Sequence, residues 1–144
     1  MSIIVGFHND HEVPDGLLKF AVVTAQYDGK WVFCRHKDCD TYEIPGGHRE
    51  AGEAIDDAAR RELCEETGAV RFSLSPVCVY SVTRDSGPSF GKLYFAEIEE
   101  LGLLPPEMEI REIAFFGGLP AKLTYPEIQP ALHEKVLAWQ ARGC

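Results

Sequence analysis

One stretch of this chain is helical in pattern and almost everything around it is strand-like, which restricts the fold to a mixed architecture. Over residues 52–67, Ile55, Ala58, Ala59, Glu62, Leu63 and Glu66 recur at helical spacing, and Gly68 stands where a helix C-cap belongs. Before it, residues 17–27 are rich in β-branched and aromatic side chains and end at Asp28-Gly29, a strong hairpin-turn signal. Residues 30–36 then alternate, with Trp31, Phe33 and Arg35 on one side and Val32, Cys34 and His36 on the other. Residues 17–36 therefore read as a hairpin, and residues 2–7 as a short strand. Glu43 and Ile44 lead into Pro45-Gly46-Gly47, a sharp loop by composition. After the helix, residues 72–83, 90–98 and 109–116 read as strands, with 84–89 as the turn joining the first two. A terminal helix starts near Pro130, with Leu132, Val136 and Trp139 as its apolar stripe. This order predicts an α+β, layered fold rather than a doubly wound sheet.

The charge balance limits the partners. The formal net charge is -9 and the pI is about 5.0. An acidic surface repels nucleic acid and anionic lipid, so neither is expected as a partner. It also repels polyphosphates, so handling one requires cations at the site, and bound metal is the direct source. The five cysteines include no CxxC pair and their number is odd, which reads as reduced thiols. Cys34, His36 and Cys39 lie close in sequence, but no second ligand pair stands at zinc-finger spacing. The first residues carry no basic segment and no long apolar run, so a cytoplasmic protein is expected. The oligomeric state is open. A homodimer paired through the strand at residues 2–7 is one arrangement compatible with the sequence.

Carboxylates crowd the central helix. Glu62 and Glu66 are one turn apart and Glu62 and Glu65 are three residues apart, so the three share one edge. Such like charges destabilise an isolated helix by a few tenths of a kcal/mol per pair. Arg60 and Arg61 relieve part of this, but Glu65 and Glu66 have no Lys or Arg three or four residues further on. A hard cation would remove the repulsion, and Mg²⁺ favours a few carboxylates together with water and phosphate oxygens. The preceding glycine pair leaves backbone groups able to approach such a cation.

Residues 47–69 set Gly47, Glu53, Arg61, Glu62, Leu63, Glu65, Glu66, Gly68 and Ala69 at the spacing G-x5-E-x7-R-E-U-x-E-E-x-G-U. In this the chain resembles the Nudix hydrolase family, where U is a bulky aliphatic residue. Every fixed position matches, and Ala69 is smaller than the usual last U. Residues 43–47 resemble the family's run into the motif, and residues 112–120 its closing strand, so the likeness covers roughly residues 17–120. The resemblance implies the Nudix fold, a mixed β-sheet sandwiched between α-helices (α/β/α), in one domain over residues 1–144. It implies hydrolysis of a nucleoside diphosphate linked to another moiety. The cofactor implied is Mg²⁺, with Mn²⁺ as an alternative. Glu62, Glu65 and Glu66 become metal ligands, with the Gly46 carbonyl beside them. Arg61 becomes an orienter of the catalytic glutamates, Glu53 a supporting carboxylate, and Glu65 counts as catalytic too. The general base is a motif glutamate or a carboxylate from a distant segment. Of Glu107, Glu109 and Glu112, Glu112 aligns best with the closing strand. Arg35 and His48 are candidates to bind substrate phosphate, with Arg49 beside them. Tyr42, Phe90 and Tyr94 are candidates to stack on a base.

The substrate implied first is a nucleoside triphosphate, cleaved as by MutT to a monophosphate and pyrophosphate, with 8-oxo-dGTP in view. The alternatives are ADP-ribose, a nucleotide sugar or a dinucleoside polyphosphate. A non-catalytic nucleotide-sensing module is a third reading, but such modules often lose a motif glutamate and none is lost here. No SQPWPFPxS-like run follows the motif, no Tyr stands 16 to 18 residues beyond it, and Pro88 comes late for the ADP-ribose group.

Overall fold

A computed structural model describes residues 3–104 and 110–142, Arg111 by its backbone alone. Its elements run β1 (Ile4–His8), β2 (Leu18–Tyr27), β3 (Lys30–His36), β4 (Gly46–His48), α1 (Ile55–Thr67), β5 (Ala69–Arg84), β6 (Gly87–Leu101), β7 (Ile110–Phe116) and α2 (Gln129–Ala141). Two short 3-10 turns, Asp10–Glu12 and Asp15–Leu17, connect β1 to β2.

The hairpin forms as its turn residues require. Asp28 and Gly29 both take positive φ, 52° and 78°. That geometry matches the strand twist and closes Tyr27 onto Lys30. The strands form one mixed sheet in the order β1-β5-β6-β2-β3-β7, with β4 added on β2. Among the described strands only β2 and β6 pair in parallel and the other strand pairings are antiparallel; an isolated parallel bridge joins Tyr42 to Leu123.

Alternation along the strands sends side chains to two separate cores. On one face, Ala21, Val23, Ala25, Val32, Tyr94, Ala96 and Ile98 pack against Ile55, Ala58, Ala59 and Leu63 of α1. On the other, Trp31, Phe33, Tyr80, Val82 and Leu93 pack against Leu132 and Val136 of α2. Each large apolar side chain fully buried this way contributes about 1.5–3 kcal/mol relative to exposure. The result is the expected α/β/α sandwich. No helix among the described residues is long and apolar enough to cross a membrane.

Several elements differ from expectation. The glycine pair is a strand rather than a loop, because Gly46–His48 pairs with Phe20–Val22 where β3 has diverged from β2. Strands β5 and β6 extend well beyond residues 72–83 and 90–98, and a tight turn at Asp85-Ser86 replaces the six-residue connection. Helix α1 begins at Ile55, with Ala54 as a cap residue that makes no side-chain bond. The first strand runs Ile4–His8, Ser2 lying outside the described residues.

Candidate active site

The site is built where β4 wedges between β2 and the carboxylate edge of α1. Val23 N–H donates to the Pro45 carbonyl and Arg49 N–H to the Lys19 carbonyl. In an antiparallel ladder this alternation turns the N–H and carbonyl of Gly46 away from β2. The Gly46 N–H accordingly reaches Glu66 Oε1 of α1 at 2.8 Å. The Gly46 carbonyl, on the same side of the strand, faces the same edge. Gly47 is constrained by space: a Cβ there would overlap the carboxylate of Glu62.

Arg61 organises the carboxylates. Its Nε and Nη2 donate to Glu53 Oε2 and Oε1 at 2.8 and 3.1 Å, a two-pronged contact across eight residues of loop and helix. Its Nη1 donates to Glu62 at 2.9 Å and to Glu65 at 3.2 Å, and Nη2 also reaches the His48 carbonyl at 3.0 Å. Glu50 lies 3.8 Å from the same guanidinium. One positive charge therefore serves four carboxylates. The pairing with Arg61 and the Glu50 N–H hold the Glu53 carboxyl down at about 2. Glu62 titrates above its ordinary range because burial outweighs the Arg61 contact. Glu66, 8% exposed, is pushed up to about 8 by burial, against the opposing pull of the Gly46 N–H. Among the described residues no Lys or Arg pairs with this buried acid, whose ion-pair neighbour is the His36 ring at 3.4 Å, a position that a bound cation would satisfy. Glu62, Glu65, Glu66 and the Gly46 carbonyl offer oxygen donors only, the donor set of a hard divalent ion.

The cleft beside this cluster is lined by His36, Gly46, Gly47, His48, Glu50 and Ile110 together with the α1 residues. A second concavity adjoins it, sharing Gly46, Gly47 and His48. Its aromatic walls are Phe20, Tyr80 and Tyr125, and Gln129 of α2 also lines it. The Gln129 side chain is buried and its Oε1 has no hydrogen-bond partner. His48 packs its ring on Phe20 at 4.5 Å, where the two concavities meet.

Of the residues singled out from sequence, Glu53, Arg61, Glu62, Glu65, Glu66, Gly46 and His48 come together here. Arg35 and Glu112 do not. They face each other across β3 and β7, bonded at 2.8 Å, and Tyr42 Oη donates to the same Glu112 oxygen at 3.0 Å. Alternation puts Arg35 on the face of Trp31 and Phe33, away from α1. Glu107 and Glu109 lie outside the described residues. Arg49 straps the loop to β2, donating to the carbonyls of Glu53, Asp15 and Leu18 and to the Asp15 carboxylate. Tyr94 is buried with its hydroxyl on Asp56, Tyr42 packs on Phe116, and Phe90 packs beside His8. None of these three lines the aromatic concavity. Phe20, Tyr80, Tyr125 and Gln129 were missed because their placement depends on strand register and on where α2 docks, and Glu50 because it fills an unspecified position of the motif in the loop before α1.

Comparison with known proteins agrees with this geometry. A NUDIX domain model matches residues 18–139. YtkD of Bacillus subtilis (strain 168), named provisionally as an 8-oxo-dGTP diphosphatase, is 36% identical over 106 residues. That match covers 74% of this chain and 66% of YtkD, slightly less than two thirds of that relative's length. The Bacillus subtilis pyrophosphohydrolase BsRppH, solved as a point variant, aligns with a TM-score of 0.78 at 27% identity, over 98% of this chain and 91% of that one. A C. elegans Ap4A hydrolase aligns with a TM-score of 0.67 at 19% identity, over 86% and 99% of the two chains, a likeness of fold. With the family model spanning most of the chain and the motif residues gathered at one cleft, this protein belongs to the Nudix hydrolase family.

Proposed function

We propose that this chain is a Mg²⁺-dependent pyrophosphohydrolase of nucleoside triphosphates, of the MutT type, with 8-oxo-dGTP as the first substrate to test. The observation that carries this reading is the convergence of Glu53, Glu62 and Glu65 on Arg61, with buried Glu66 beside them, at the lip of a cleft that joins an aromatic concavity. Nudix proteins generally use divalent metals. A cation on Glu62, Glu65, Glu66 and the Gly46 carbonyl would neutralise phosphate charge and lower the pKa of an attacking water. The 8-oxo-dGTP name of YtkD and the pyrophosphohydrolase name of BsRppH support the substrate class.

The chain's own groups then divide the work. Arg61 holds the Glu62 and Glu65 carboxylates in fixed orientations, and Glu53 in turn holds Arg61. Glu65 is the most exposed of the three α1 glutamates at the cleft, with a side chain 35% exposed. We assign it the proton of the attacking water, in preference to Glu112, whose carboxylate engages Arg35 and Tyr42. The base of the nucleotide enters between Phe20, Tyr80 and Tyr125, where the unpaired Gln129 Oε1 accepts from an N–H of the base.

The test is a panel of nucleoside triphosphates, oxidised and normal, with ADP-ribose and a dinucleoside polyphosphate, incubated with Mg²⁺. The proposal expects pyrophosphate and a monophosphate from at least one triphosphate. Turnover of ADP-ribose alone would overturn the substrate class, and no turnover of any member would overturn the activity.

A further inference from the structure

Behind the oxygen-rich edge lies a group of donors of different chemistry. Cys34 and His36 are two apart on β3 and so project to the same face, the face covered by α1. There they meet Glu66: the Cys34 Sγ lies 3.8 Å from Oε1 and the His36 Nε2 lies 3.4 Å from Oε2. One donor atom from each of the three residues falls within 4.8 Å of the others. Glu43 is brought alongside by a backbone bridge to Cys34, with bonds of 2.9 and 3.0 Å, and its Oε1 stands 3.2 Å from the same His36 nitrogen. That nitrogen is buried and makes no hydrogen bond, although two carboxylate oxygens face it.

The two distances to Glu66, 3.8 and 3.4 Å, are those between neighbouring donors of a coordination shell. Around an ion with bonds of about 2.0–2.3 Å in tetrahedral geometry, neighbouring donors lie roughly 3.3–3.8 Å apart. A sulfur, an imidazole nitrogen and a carboxylate form a set that selects zinc or a similar borderline-soft ion over Mg²⁺. The His36 ring and Glu66 also line the open cleft, which supplies an entry path.

We propose that Cys34, His36 and Glu66, with Glu43 adjoining, form a second metal site specific for Zn²⁺ or another thiophilic divalent ion. The site shares Glu66 with the α1 carboxylate edge. Binding there releases the Cys34 thiol proton to solvent and withdraws Glu66 from any hard cation held by Glu62 and Glu65. Zinc therefore inhibits Mg²⁺-supported turnover by competing for one ligand. The binding claim stands on the donor geometry alone, whereas the inhibition claim rests on the proposed hydrolase activity.

Cobalt(II) serves as a spectroscopic probe of the reduced, metal-free protein. The expected result is a thiolate-to-cobalt charge-transfer band in the near ultraviolet, removed by stoichiometric Zn²⁺. Cys34→Ser should abolish the band, and His36→Gln should weaken Zn²⁺ binding by more than about tenfold, the loss that even supporting groups around a metal produce. Cys39→Ser, an exposed neighbour, should leave both unchanged. Circular dichroism confirms that each variant is folded. No band in wild type, or a band that persists in Cys34→Ser, overturns the site. Should turnover be absent, the cobalt result still decides the binding claim. With turnover present, Zn²⁺ inhibition equal in wild type and Cys34→Ser overturns the shared-ligand claim alone.

Discussion

Removing the charge of Glu66 should stabilise the metal-free protein and flatten its pH profile. The carboxyl rises from an ordinary 4.5 to about 8, chiefly through burial. A raised folded-state pKa means that the stability linked to this group is fully present below about pH 4.5 and is lost as pH rises towards 8. At pH 7 the unfolded chain has released this proton and the folded chain has kept it. At 1.36 kcal/mol per pH unit, the linkage costs up to about 3 kcal/mol. Glu66→Gln removes the titration yet keeps an oxygen to accept from the Gly46 N–H. Urea unfolding in chelator at pH 5, 6, 7 and 8 measures the effect. The variant should gain on wild type progressively across that range, by about 1–3 kcal/mol at pH 7 to 8. Millimolar Mg²⁺ should reverse the order, since it binds only the wild-type set tightly. Parallel stability curves for the two proteins in chelator would refute the reasoning, because Glu66 would then be ionised in the fold without cost.

Other substitutions separate geometry from charge. Arg61→Lys keeps the charge but loses the fork to Glu53, so turnover should fall by at least about tenfold with little change in thermal unfolding. Gly47→Ala places a Cβ against the Glu62 carboxylate, so calorimetry should find Mn²⁺ binding weakened while the fold persists. Gly68→Ala should cost about 1–2 kcal/mol in urea unfolding without altering turnover per folded molecule, because Gly68 caps α1 at φ 79° and its Cβ would lie 2.9 Å from the Gly102 carbonyl.

Much of this site was legible because it is local. Glu62, Glu65 and Glu66 share an edge by helical spacing alone, and Arg61 and Glu53 lie within reach along the same segment. The hairpin was legible because Asp-Gly accepts two positive φ values. Strand β4 was not, since Gly46 and Gly47 carry no side-chain pattern and acquire strand geometry only from β2. Strand β6 was begun late because Gly87 and Pro88 read as turn residues, whereas they pair with Arg84 and Thr83 in the ladder across a tight turn. The alternation of β3 was itself correct, with Cys34 and His36 opposite Arg35. What it lacked was which face α1 would cover, and that decided that His36, rather than Arg35, reaches the carboxylates.

The central claim is that the α1 carboxylates hold the cation with which this chain cleaves a nucleotide phosphoanhydride. The most direct measurement is pyrophosphate release from 8-oxo-dGTP and the common nucleoside triphosphates as Mg²⁺ is titrated, in wild type and Glu66→Gln. The account predicts Mg²⁺-dependent release by wild type and a loss of about two orders of magnitude or more in the variant, folded by circular dichroism. Equal turnover by the two proteins, or turnover in the presence of excess chelator, would contradict it.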